Sequence, residues 1–151
     1  MPRKNEHDFL MKVLCGNASA VDFCEVLFRI SQVLDDLYDG DKQVDREHLV
    51  DVLGWESLIR LPNNPFYIQY FHVLNPIMQA AIVDWMDANK LERGRDHEKN
   101  IAFVLRDSIG GIISHCALLV GGYAWMREWS PKIRQHIFEE PLKDYKRELS
   151  I

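Results

Sequence analysis

Between Ser19 and Gly40, Phe23, Val26, Leu27, Ile30, Val33, Leu34 and Leu37 recur at intervals of three and four residues. At about 100° per residue they fall within roughly 60° of one line, a single apolar stripe along a helix. Such a stripe is stable only when another element covers it, so this stretch demands a helical partner. Ser19 is expected to cap the helix, and Gly40 to end it.

The remaining segments repeat the pattern. "HDFLMKVL" reads as a short helix stopped by Gly16-Asn17. Asp45 caps a helix carrying Leu49, Val52, Leu53, Leu58 and Ile59, which stops at "LPNNP". There Asn64 caps and Pro65 takes the first helical position, where a missing N–H costs nothing. The next helix carries Tyr67, Tyr70, Phe71, Leu74, Ile77, Met78, Ala81, Ile82 and Trp85, with a kink expected near Leu74 from Pro76. A fourth long helix is expected from about His97 to Val120. Gly110, Gly111, Ser114 and Ala117 gather on its flank, where a close neighbour must offset about 1 kcal/mol per glycine. Ser130-Pro131 then starts a terminal helix, broken again at Pro141. Strand alternation is absent. The expected fold is all-α, one domain over residues 1–151, in a bundle of five to seven helices.

Composition removes several function classes. Apolar residues are 47% of the chain and charged residues 27%, enough for a core without disulfide or metal staples. The formal net charge of −5 speaks against a nucleic-acid surface, which needs a basic stripe. The longest apolar run, "IGGIISHCALLVGG", is interrupted by Ser114 and His115, so no membrane span is expected. The N-terminus lacks the pattern of a signal peptide. Cys15, Cys24 and Cys116 are odd in number and form no Cys-x-x-Cys, which predicts buried free thiols and a cytoplasmic location.

Where the long stripe runs out, "QVLDDLYDGDK" sets Asp35, Asp36, Asp39 and Asp41 close together. Asp35 and Asp39 are one turn apart, so their carboxylates can converge on a hard cation such as Mg2+. That cation would also offset the repulsion of the helix C-terminus, about 0.3–1 kcal/mol for each exposed carboxylate. Measured from Ile30, however, the two lie at about 140° and 180°, on the solvated face. There Lys42 and Arg46 can neutralise them without metal. Both readings stand.

"ISQVLDDLYDGDK" resembles the first aspartate-rich motif, Asp-Asp-x-x-Asp, of class I isoprenoid synthases, particularly the squalene/phytoene synthase branch. "NIAFVLRDSIGG" looks like part of that family's second motif, with Gly111 where the last aspartate stands. The resemblance implies an all-α scaffold on which Asp35, Asp39 and Asp107 hold Mg2+ against a phosphate- or diphosphate-bearing small molecule. Arg106 would balance leaving-group charge. In "IVDWMDAN", Asp84 and Asp87 are positioned to face Asp35 and Asp39 across a bundle. That would make a four-carboxylate site like those of all-α nucleotide pyrophosphatases, although a Glu-Glu-x-x-Glu pattern is absent. The competing reading is a non-catalytic helical interaction protein, a homo-oligomer with a solvated acidic helix end. Asp96, His97 and Glu98 read as first-turn charges, and His115 as a hydrogen-bonded core histidine. Whether the chain is an enzyme stays open at this point.

Overall fold

The computed structural model describes residues 3–40 and 43–150, and every regular element among them is a helix. With abutting segments joined they form seven helices, so the all-α bundle predicted by the periodicity is what the chain adopts. The chain divides into two compact units, Met1–Phe71 and His72–Ile151. Asp41 and Lys42, part of the acidic segment, lie outside the described residues.

The first unit is built on α1 (Glu6–Val13) and α2 (Ala18–Asp39). Between them Cys15 and Gly16 both take positive φ, and the Gly16 N–H reaches back to the Met11 carbonyl at 2.7 Å. This reversal leaves Cys15 exposed, whereas Cys24 and Cys116 are buried free thiols as expected. Asn17, not Ser19, caps α2, accepting the Ala20 N–H at 3.0 Å. The predicted stripe is buried at Phe23, Val26, Leu27 and Val33 but emerges at Leu37, which is exposed like its neighbour Tyr38. Gly40 ends α2 in the left-handed region, its N–H on the Asp36 carbonyl.

After α3 (Arg46–Val50), with Asp45 at its cap, the chain widens into a ten-residue π-helix, Asp51–Arg60. This register overturns the expected apolar face. Val52 and Leu61 are both buried, nine residues apart. At about 100° per residue nine steps would put them on opposite sides of an α-helix, but i→i+5 bonding returns them to one side. The closing bond runs from the Leu61 N–H to the Glu56 carbonyl, 2.8 Å. The wider turn sends Leu58 and Ile59, predicted inward, out to solvent, while Glu56 lies inside at 8% exposure. The Ser57 hydroxyl donates to the Leu53 carbonyl four residues back, a bond that competes with the backbone ladder.

Asn64 and Pro65 start α4 (Pro65–Gln69) as predicted, with the Asn64 Oδ1 accepting the Tyr67 N–H at 2.9 Å. Phe23 stacks on Tyr67 and tilts against Phe66, binding α2 to α4 through an aromatic cluster. Burial raises the Tyr67 hydroxyl above its ordinary pKa, so it stays neutral there.

The second unit contains nearly all of α5 (Phe71–Leu91), then α6 (Asp96–Arg106), α7 (Ile109–Gly121), α8 (Tyr123–Ile137) and α9 (Leu142–Leu149). Three expectations change here. The helix break falls at Tyr70, ahead of the position near Leu74 that Pro76 suggested; Pro76 sits inside α5. The long fourth helix divides at Asp107-Ser108, because Ser108 donates to Asp84 Oδ2 at 2.7 Å and sits within reach of the Leu105 carbonyl at 2.8 Å. Pro131 lies within α8 and does not start a helix.

α7 and α8 form a helical hairpin about Gly122, which takes φ 87. The Ser114 and Ser130 hydroxyls meet at 3.0 Å, each eight residues from Gly122. Gly110 meets Arg134, each twelve residues from it, so the two helices run antiparallel in register. The close approach anticipated for the glycine flank thus belongs to Gly110. At Gly111 an added Cβ would meet only the Arg134 guanidinium, at 3.6 Å. Residues 96–121 are the one described stretch whose length and composition would cross a membrane, and a third of its apolar window is buried.

Candidate binding cleft

The π-helix positions a candidate site in the first unit. Its C-terminal turn meets the starts of α2 and α4, leaving an open cleft of about 620 Å3. Ser19 and Asp22 line it from α2, Trp55, Ile59 and Arg60 from the π-helix, and Asn63 from the turn before α4. Trp55 is 63% exposed, a large aromatic face held out of the core.

Beneath the cleft the ionic groups are spent on one another. Arg29 of α2 donates through Nε to Glu56 Oε1 at 2.6 Å, and its Nη2 stands at the same distance. Arg60 reaches the same Glu56 oxygen from Nη1 at 3.5 Å and forms a close pair with Asp22 through Nη2. Asn64 Nδ2 donates to the Ser19 carbonyl at 3.0 Å and to Asp22 Oδ2 at 3.5 Å. Two guanidiniums and two carboxylates therefore leave no net charge. This lattice ties the π-helix to α2, and a buried carboxylate so held is far costlier to strip of its partners than to keep. Chemically, the cleft offers an indole face, an aliphatic wall and rim amides.

The residues singled out from sequence lie elsewhere. Asp35 is half-buried and Asp39 exposed at the end of α2, in the first unit. Asp84 and Asp107 belong to the second unit, where Asp84 accepts the Ser108 hydroxyl. Among the described residues no three His, Cys, Asp or Glu side chains stand together as a metal-holding group. Arg106 is engaged within its own unit, donating to Asn89 Oδ1 at 2.8 Å and to Glu92 Oε2 at 3.0 Å. The Tyr145 hydroxyl donates to the same Glu92 oxygen at 2.7 Å. That network fastens α6 and α9 to the end of α5. His115 is exposed, its Nδ1 2.9 Å from the Gly111 carbonyl.

The signal for Glu56 was present in the chain. It follows Val52 by four residues, which places a carboxylate on an apolar helix face whatever the exact register. Such a carboxylate must find a cation. Its partner Arg29 is 27 residues away, and no local pattern names it.

Comparison of the chain with models of known protein families, with curated proteins and with solved structures finds no match in any of the three. The isoprenoid synthase resemblance accordingly rests on its two motifs.

Proposed function

We propose that this chain is a non-catalytic helical binding protein, and that the cleft beside the π-helix takes an apolar or aromatic side chain of a partner polypeptide. One observation carries the reading. The charges lining the cleft neutralise each other, while its exposed residues include the large apolar side chains Trp55 and Ile59, beside Asn63 and the paired Arg60. Exposed aromatic surface next to hydrogen-bonding amides is the composition of a recognition hot spot. A magnesium site at Asp35 and Asp39 is the second reading, favoured by their one-turn spacing on α2.

The test is a titration of the 15N-labelled chain with N-acetyl-tryptophanamide and N-acetyl-leucinamide. Saturable shifts of the Trp55 indole N–H and of the Ser19 and Asn63 amides are expected, with dissociation constants in the ~mM range for so small a probe. Trp55→Ala should abolish them. Shifts scattered over both units, or none, would overturn the proposal.

A further inference from the structure

Helix α5 is apolar over most of its length, yet among its residues only Leu74, Ala88 and Asn89 are buried. From Phe71 to Val83 it carries no Asp, Glu, Lys or Arg, although the chain as a whole has a net charge of −5. An uncharged helix face left in water is unfavourable, and a contiguous exposed apolar surface of this kind marks an interface. Val73, Pro76, Ala80 and Val83 are all exposed and follow one another at intervals of three, four and three. That is the seam spacing by which one helix packs into the holes of another.

We propose that this face is closed by a second copy of the chain, with two α5 helices packed antiparallel about a two-fold axis. Two features select that occupant. The seam is self-complementary: centred between Pro76 and Ala80, it sets Val73 against Val83 of the second copy and Pro76 against Ala80 of the second copy. Such a pairing is what an isologous interface requires. Charge then selects the antiparallel sense. The only charged residues of α5, Asp84, Asp87 and Lys90, all lie at its C-terminal end. Parallel packing would set each against its own kind. Antiparallel packing carries them past the neutral stretch, leaving an interface core without charge, as interface cores generally are. The proposal is independent of the cleft on the first unit, since no residue is shared.

The experiment is light scattering behind size exclusion at chain concentrations from about 10 to about 500 µM, a range that spans a helix-pair interface of micromolar affinity. The wild-type mass should rise from one chain to two. Val83→Glu and Val73→Lys should each stay at one chain throughout, a loss of at least tenfold in affinity. Both sites are exposed, so circular dichroism should confirm an intact fold. The double variant Val73→Lys/Val83→Glu should recover the dimer, because each lysine then faces a glutamate of the other copy. A wild-type chain that stays monomeric, single variants that still dimerise, or a double variant that fails to recover would each overturn the proposal.

Discussion

Gly121 and Gly111 look alike in sequence and differ sharply in what surrounds them. A Cβ at Gly121 would collide with the Trp125 ring and stand 2.9 Å from its Cβ, so the ring and its root would both have to move. Gly121→Ala should therefore lower stability by about 1–3 kcal/mol, the usual cost of overpacking. Gly111→Ala adds a methyl at ordinary contact distance from a flexible arginine and removes a helix-interior glycine. It should be neutral or stabilising by up to ~1 kcal/mol. Urea midpoints of the two variants check the contrast, and equal losses would refute it. The aspartates are decided at the same scale. If Asp35 and Asp39 hold a cation, magnesium at about 100 times its dissociation constant adds roughly 2.7 kcal/mol to the folded state. The melting temperature should then rise with MgCl2 and stop responding in Asp39→Asn. A wild-type chain indifferent to Mg2+, Mn2+ and EDTA would end the metal reading.

Among the elements, α9 has a docking that should depend on pH through two groups of opposite sign. Burial, with the neighbouring charge and hydrogen bond of Glu148 and the charges of Asp144 and Asp107, raises the Glu140 carboxyl above its ordinary pKa. Its contribution is complete below the unfolded value, near about 4.3, and is lost as pH climbs through the raised one. Asp96, bonded to Lys146 of α9, is held below its ordinary value chiefly by that hydrogen bond. Its contribution is complete above about 3.9 and is lost as pH falls through the lowered value. The second unit should accordingly be most stable in mild acid, between the two windows. In urea titrations, Glu140→Gln should raise the midpoint at neutral pH and flatten its decline as pH climbs above the ordinary carboxylate range. An unchanged slope would mean that Glu140 is not the titrating group. Proline and π-geometry are element-scale matters too. Pro131 is tolerated inside α8 because the hairpin with α7, pinned at Ser114 and Ser130, holds the helix through the missing bond.

At the scale of the whole molecule, the chain's two compact units divide its contacts, and the Arg29–Glu56–Arg60–Asp22 lattice lies wholly in the first. Glu56→Ala strips a buried carboxylate from two arginines. It should cost about 2–3 kcal/mol, just under the buried-pair range of about 3–5 kcal/mol, because both arginines keep some water. Calorimetry of the full chain should resolve two transitions, of which Glu56→Ala lowers one and leaves the other in place. A single transition displaced as a whole would show that the units unfold together.

The amino-acid sequence by itself determined the all-α class, the α2 stripe as far as Val33, the stop at Gly40 and the Asn64-Pro65 start of α4. Each follows from periodicity, capping or backbone freedom within a few residues, and local physics suffices for those. The tertiary structure alone decided the π-register, the pairing of Glu56 with Arg29, the division of the fourth helix at Asp107-Ser108 and the cleft. These depend on partners far along the chain: Arg29 is 27 residues from Glu56, Arg60 is 38 from Asp22, and Asp84 is 24 from Ser108. A hydrogen bond of that span can outweigh a local preference worth a few tenths of a kcal/mol per residue, yet it leaves no period in the sequence by which to read it.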